Sequence, residues 1–353
     1  MFILTTHPGL EDIVEAELTR TLTARGLPAG KRIRKPFGLK GNVLYHHPDP
    51  EDHAIPVLSS LHSIYHIKRY HTHLEVPEGR DILGFIQEAL TTLSFPHLEE
   101  ASSFRILSER VGDHPFTHMD IERAAGEILH TTYRCPVNLT SPEVTICVDL
   151  YDRHVLVGEL LSRPRFYTRY EKPYHPRVSL KPPLAYGLLH LSGIFNDPGP
   201  LLDPFCGAGT ILLEAADLLP EGLPICGLDI SWRAFSGTAR NLEAEGFERK
   251  VRLVLGDARR LSSYFPPESF QYIVTDPPFG VKLGRRLDFE DLFSAFLEEA
   301  SLVLKPGGTM VFLTMHWRII SRLLGDREDL VVIHRRRVEE STLRPHMVVL
   351  RKT

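Results

Sequence analysis

Leu201-Leu202-Asp203-Pro204-Phe205-Cys206-Gly207-Ala208-Gly209-Thr210 reads as an apolar strand that ends in an acid and turns through two glycines into a helix beginning near Ile211. Glycine lets a ligand approach the backbone closely, and the start of a helix offers free N–H groups. Alone, G-x-G is weak evidence, because a tight strand-to-helix turn without a ligand has the same pattern. A dinucleotide-binding turn wants a third glycine for close helix packing; Leu212 holds that position and disfavours a nicotinamide dehydrogenase.

Downstream, the pattern repeats with variations. Ile225 to Leu228 forms a second apolar strand that closes in Asp229, where a carboxylate can accept from both hydroxyls of a ribose. A third, Val251 to Leu255, leads into Gly256-Asp257-Ala258, where a carboxylate can take an adenine amino group. Each aspartate singly reads equally well as a helix N-cap. The fourth strand, Phe270 to Thr275, ends in Asp276-Pro277-Pro278-Phe279. Two prolines fix the backbone and remove competing donors, so the Asp276 carboxylate and the Pro277 carbonyl can both face an amino group. Phe279 offers a flat base a stacking surface worth about 1–3 kcal/mol. The alternative for this tetrapeptide is a rigid turn with no further role. Lys305-Pro306-Gly307-Gly308 then precedes a fifth strand, Thr309 to Leu313. From Leu184 onward, helix and strand alternate in the rhythm of a doubly wound parallel sheet.

Upstream, the order differs. Met1 to Thr5 reads as a strand, and Leu10, Ile13, Val14, Leu18 and Leu22 recur at helical spacing until Gly26. Further strands are expected at Gly41–His46, Tyr65–Val76, Phe104–Val111, Val144–Leu150 and His154–Leu161. Helices are expected at Ile55–Ile64, from Ile82 to Leu93, and from a Thr117/Asp120 capped start to Tyr133. Residues 1–64 and 65–161 thus form two α/β units. Between Ser162 and Pro183, five prolines punctuate a stretch in which Arg163, Arg165, Arg169, Lys172 and Arg177 interleave with Phe166, Tyr167, Tyr170 and Tyr174. This linker has the composition to grip phosphates and stack on bases, against the alternative of a solvated loop. The basic run Lys31, Arg32, Arg34 and Lys35 fits either reading equally.

The bulk properties narrow the class further. A chain of 353 residues accommodates two or three folding units, and a net charge of −4 confines any polyanion-binding surface to a local patch. Cys135, Cys147, Cys206 and Cys226 show neither zinc-ribbon nor disulfide spacing and fit a reducing cytoplasm. No stretch has the roughly 20 apolar residues that span a bilayer, and the opening residues do not read as a signal peptide. His62, His66, His71 and His73 lack partners at zinc-ligand spacing and read as surface histidines, so no metal is expected. Cys206 reads as a small apolar residue of the turn.

From about Val178 to the C-terminus the motifs at Asp203–Thr210, Asp229, Asp257 and Asp276–Phe279 resemble those of the Rossmann-fold amino-methyltransferases. The resemblance implies S-adenosyl-L-methionine as cofactor. It places the methionine part at Asp203, Pro204, Phe205, Gly207, Gly209 and Thr210, ribose at Asp229 with Ile230, and adenine at Asp257 with Ala258. Val178, Ser179 and Leu180 lie in a stretch, His175–Lys181, that resembles a further cofactor-contacting segment of some members. Asp276, Pro277, Pro278 and Phe279 match the turn that holds the amine to be methylated.

With Thr6-His7-Pro8-Gly9-Leu10-Glu11 and the order of parts, nearly the whole chain resembles THUMP-containing RNA guanine-N2 methyltransferases. That implies a ferredoxin-like domain at 1–64, a THUMP RNA-binding domain at 65–161, a linker at 162–183 and a Rossmann-like methyltransferase domain at 184–353. It further implies a cytoplasmic, monomeric enzyme acting on tRNA, at guanosine 6 of the acceptor stem. Guanosine 10 of tRNA, ribosomal RNA, a DNA adenine or protein glutamine substrate, and an RNA-binding protein with an inactive methyltransferase domain are the alternatives.

Overall fold

Strand β1 (Phe2–Thr5) is buried along its whole length, as an apolar run in the middle of a sheet must be. The computed structural model describes the chain apart from residues 164–165, 177–178, 280–287 and 341–342. These residues divide into two units, Met1–Thr6 with Val14–Phe166 and His7–Ile13 with Tyr167–Thr353.

In the first unit β1 is followed by α1 (Glu11–Ala24), β2 (Lys31–Arg34), β3 (Asn42–His46), α2 (Glu51–Leu58) and β4 (His66–Glu75). Next come α3 (Ile82–Thr92), α4 (Pro96–Glu100), β5 (Phe104–Leu107), β6 (Arg110–Val111), α5 (His118–Tyr133), β7 (Val144–Tyr151) and β8 (His154–Leu160). Val14, Leu18 and Leu22 of α1 share one buried cluster with Phe2 and Leu4 of β1. The expected cap of α5 is present as a capping box of Thr117 and Asp120. The α2 helix begins earlier than expected and stops at Leu58, with Glu51 and Asp52 in its first turn, where carboxylates favour a helix start.

The two α/β parts separated at residues 64 and 65 share one sheet, ordered β2-β3-β1-β4-β8-β7-β5 with β6 beside β7. Its shared strand is β4, which pairs antiparallel with β1 on one edge and with β8 on the other. Local periodicity specifies each strand but not its lateral neighbour, so this join was invisible in the sequence. Basic Lys31, Arg32 and Arg34 lie on the edge strand β2, where charge discourages pairing with another chain. His66, His71 and His73, expected on the surface, are half-buried on β4. Burial pushes His66 down to about 4.

In the second unit α6 (Pro182–Ser192), β9 (Leu201–Asp203), α7 (Thr210–Leu218), β10 (Ile225–Asp229), α8 (Trp232–Ala244) and β11 (Val251–Leu255) follow one another. They are succeeded by β12 (Phe270–Thr275), α9 (Phe289–Val303), β13 (Leu304–Thr314), α10 (Trp317–Gly325), β14 (Leu330–Arg337) and β15 (His346–Lys352). Pro182 and Pro183, counted with the linker, are the opening residues of α6, a position that tolerates the missing N–H. The sheet order is β11-β10-β9-β12-β13-β15-β14. Strands β9 to β13 pair in parallel as expected, but β15 runs antiparallel to both β13 and β14, so the sheet is mixed.

Leu212, the residue that fills the place of a third glycine, finds its space elsewhere. A Cβ added to Gly227 of β10 would lie 2.4 Å from Leu212 Cδ1, so the missing side chain is on the strand rather than on the helix. Leu10 and Ile13 join the core formed with α6 and α7. Full burial of such side chains contributes about 1.5–3 kcal/mol each.

Candidate active site

Where β9 gives way to α7, Gly207 and Gly209 take left-handed backbone angles, φ +56° and +77°, which glycine adopts without steric cost. The turn is held from two sides. Gly209 N–H donates to the Cys206 carbonyl at 2.7 Å, Thr238 Oγ1 donates to the Gly207 carbonyl at 2.8 Å, and Asn241 Nδ2 donates to the Ala208 carbonyl at 3.0 Å. Around Gly207 the nearest atom to an added Cβ is a carbonyl oxygen 3.8 Å away, leaving the turn's surface open. Cys206 is buried, and burial pushes its thiol well above the usual range, so it is an inert part of the turn.

The acids at the strand ends do different work. Asp229 accepts from Gly207 N–H through Oδ2 and from Ser231 N–H through Oδ1, both at 2.9 Å, and so ties β10 to the glycine turn. Each oxygen keeps a lone pair for a further donor. Beside it Ile230 is exposed by 66%, as is Trp232, which stacks on Phe235 with ring centroids 5.4 Å apart. Asp203, expected at the cofactor, is instead 1% exposed; its Oδ1 accepts from the Thr275 hydroxyl at 2.6 Å and from Phe205 N–H at 3.2 Å. It therefore joins β9 to β12, and burial pushes its carboxyl up to about 7. Asp257 realises the capping alternative by accepting from Arg259 N–H at 2.9 Å. A hydrogen bond and ion pair with the Arg259 guanidinium at 2.8 Å hold its carboxyl below the ordinary range. Ala258 is buried.

After β12, Asp276 carries a buried Oδ1 with no hydrogen-bond partner among the described residues. A buried acceptor left unmatched costs about 1–3 kcal/mol, so this oxygen has the capacity to take a donor. Burial, then the nearby Glu340 and Asp203, push the Asp276 carboxyl well above the usual carboxylate range. Pro277 is buried, and Pro278 and Phe279 are half-buried. The Phe279 carbonyl accepts from His316 Nε2 at 3.0 Å, a contact the sequence did not signal.

The expected linker is in large part built into the second unit. Tyr170 OH donates to Asp217 at 3.1 Å, and Tyr174 exchanges backbone hydrogen bonds with the Asn241 side chain at 2.8 and 3.0 Å. Gly237 makes room for the Tyr174 ring, since a Cβ there would lie 2.2 Å from it. Two residues assigned to RNA turn inward: Arg169 pairs with fully buried Glu214 at 3.6 Å, and Lys172 Nζ donates to Thr210 Oγ1 at 2.7 Å. Composition could not reveal this, because a basic side chain beside buried Glu214 is drawn in by a charge that lies on another element. Ser179 Oγ lies 3.4 Å from the same Thr210 hydroxyl. Burial, with Lys181 nearby, pulls the Lys172 ammonium down to about 8. Arg163 is exposed. Arg165, Arg177 and Val178 lie outside the described residues.

A parallel sheet closed by a reversed final strand, with a glycine turn and an Asp-Pro-Pro-Phe turn at the carboxyl ends of its strands, defines the class: an S-adenosyl-L-methionine-dependent methyltransferase. The family described as RMKL-like, methyltransferase domain, matches residues 169–346, and the THUMP domain matches residues 85–158. The chain belongs to this methyltransferase family and carries a THUMP domain ahead of the catalytic one. It is 34% identical over 349 residues to the tRNA (guanine(6)-N2)-methyltransferase of Thermus thermophilus, covering 99% of this chain and 98% of that protein. The crystal structure of TrmN from Thermus thermophilus superimposes with a TM-score of 0.77 at 32% identity, over 100% of this chain and 99% of that one. A tRNA (guanine(10)-N2)-dimethyltransferase of Methanocaldococcus jannaschii is 28% identical over 246 residues, covering 66% of this chain and 68% of that protein.

Proposed function

We propose that the chain methylates N2 of guanosine 6 in the acceptor stem of tRNA. The observation that carries the chemistry is the orphaned, buried Oδ1 of Asp276 in the Asp-Pro-Pro-Phe turn. The choice of nucleotide rests on likeness along the full chain to the guanine-6 enzyme, against two-thirds coverage for the guanine-10 enzyme.

The residues present fit the cofactor. Open space at Gly207 admits close approach, and Lys172, Ser179 and Thr210 present donors beside the positive end of α7, suited to the methionine carboxylate. The lone pairs left on Asp229 suit the ribose hydroxyls, and exposed Ile230 suits an apolar base face. Contacts from Pro204, Phe205, Asp257, Ala258 and Leu180 complete the proposed site, which includes Val178. When bound, the cofactor supplies an electrophilic methyl group on a sulfonium sulfur.

The chain's own residues orient the nucleophile. An extruded guanine stacks on Phe279, while Asp276 Oδ1 and the Pro277 carbonyl accept its two amine hydrogens. This turns the nitrogen lone pair toward the methyl carbon. As the amine takes up the methyl group, Asp276 or water would accept the proton that it loses. Guanine N2 is a weak nucleophile because its lone pair is delocalised, so positioning and electrostatic stabilisation supply the rate. Extrusion of a paired base costs a few kcal/mol, which binding of a distant part of the tRNA by the THUMP domain offsets. Arg163, Arg165 and Arg177 remain proposed RNA contacts, and the four-part division at residues 64, 161 and 183 is proposed with them. The enzyme is proposed to act as a cytoplasmic monomer; no helix among the described residues is long and apolar enough to cross a membrane.

Nucleoside mass spectrometry of unmodified tRNA incubated with the enzyme and S-adenosyl-L-methionine tests the reading. N2-methylguanosine is the expected product. Methylated adenosine, or methyl groups only on ribosomal RNA, would contradict it.

A further inference from the structure

Phe279 ends the catalytic turn, yet the group that holds its carbonyl comes from the far end of β13. His316 lies two residues beyond that strand, and its Nε2 is 3.0 Å from the Phe279 oxygen. A carbonyl only accepts, so the ring must carry its hydrogen on Nε2. The imidazole has little freedom to do otherwise. It stacks on Phe289 with centroids 4.0 Å apart and planes 20° apart, and Phe293 flanks it at 6.2 Å. Its own backbone N–H donates to Thr314 Oγ1 at 2.9 Å.

Phe289 is the first residue of α9, which Asp288 caps by accepting from Glu290 N–H at 3.0 Å and Asp291 N–H at 3.2 Å. One ring therefore reaches both Phe279, before residues 280–287, and Phe289, after them. The peptide plane that carries the Phe279 carbonyl is fixed by a donor whose direction is set by stacking. That plane follows directly on the Phe279 side chain.

We infer that His316 is a positioning residue for the methyl transfer, holding the Phe279 carbonyl so that the Phe279 ring and the Asp276 and Pro277 acceptors meet the target amine together. The inference rests on the function proposed above. It assigns His316 no contact with substrate or cofactor. A misplacement of about 1 Å in such a constellation is enough to cost on the order of 10²-fold in rate.

Two variants of the full-length enzyme separate positioning from folding. In His316→Gln the terminal amide nitrogen sits near the reach of Nε2 and keeps a donor; His316→Leu keeps apolar contact with Phe289 and loses the donor. Single-turnover methylation of tRNA at saturating substrates is expected to fall about 10- to 100-fold in His316→Leu and to recover most of that loss in His316→Gln. Calorimetric affinity for S-adenosyl-L-methionine is expected to stay within about twofold in both. Wild-type turnover in His316→Leu would overturn the role, as would equal damage in both variants with matching loss of cofactor affinity.

Long-range nitrogen–proton NMR of the free enzyme reads the same bond without any substrate. A ring protonated on Nε2 is expected, and an Nδ1-only tautomer at neutral pH would overturn the inference whatever the RNA substrate proves to be. Failure of the wild-type enzyme to methylate tRNA would instead count against the proposed substrate, leaving the tautomer to decide on His316.

Discussion

Asp276 and Asp203 show how burial gives two acids at neighbouring strand ends different work. Asp276 has an oxygen in the proposed amine site with no partner among the described residues, whereas Asp203 uses Oδ1 to accept from Thr275 and Phe205. Replacing Asp276 with Ala should lower single-turnover methylation by roughly 10²–10⁴-fold while leaving cofactor affinity within a few-fold. Near-normal turnover at saturating RNA would remove Asp276 from the mechanism. Because burial and Glu340 raise its pKa, the accepting, ionised form is lost as pH falls through a value above the ordinary carboxylate range. The methylation rate should therefore rise with pH across that limb, and the limb should vanish in Asp276→Asn.

For Asp203 the linkage runs through stability. Its folded pKa of about 7 exceeds the ordinary value of 3.8, so between those values the native state binds the extra proton and stability falls as pH rises. Asp203→Asn keeps an acceptor for Thr275 and cannot ionise. Its stability relative to wild type should increase between pH 4 and 7, by on the order of 4 kcal/mol in urea denaturation. An unchanged difference across that range would mean that Asp203 is not buried as described. The sequence made Asp276 legible because Asp-Pro-Pro-aromatic is a rare combination and stood directly after a strand. It could not separate Asp203 from the acids proposed to face the cofactor, since strand position does not say which oxygen another strand has claimed.

At the scale of elements, the four parallel strands from β9 to β12 were readable because each is a short apolar run ending in a polar turn. The antiparallel pair β14 and β15 was not, because half of β14 is His334, Arg335, Arg336 and Arg337. Arg336 lies there for a reason, forming a two-pronged pair with Asp12 at 2.6 and 2.8 Å. Leu212 offers a sharper test of element packing. Gly227→Ala should destabilise the protein by about 1–3 kcal/mol through overpacking against Leu212, and when it is combined with Leu212→Ala, which alone costs about 2–5 kcal/mol, the total loss should fall short of the sum of the two single changes. Additive effects in the double variant would show that the glycine and the leucine do not share this space.

For the molecule as a whole, the order of parts was legible, but the grouping of the chain was not. Seven residues near the start, His7–Ile13, group with the catalytic unit, where Leu10 packs beside Gly187 and Met347. The His7 ring bonds the Glu339 carbonyl there at 2.9 Å, and burial pushes its pKa down to about 4. No periodicity announces a contact between residues more than 300 positions apart. Specificity for one guanine in the acceptor stem is the property proposed for the molecule. Its most direct test is methyl incorporation into two tRNA transcripts, one with guanosine at nucleotide six and one in which that guanosine and its pairing partner are exchanged for another pair. Stoichiometric methylation of the first is expected, with loss of nearly all of it in the second; undiminished methylation of the exchanged transcript would contradict the assignment to nucleotide six.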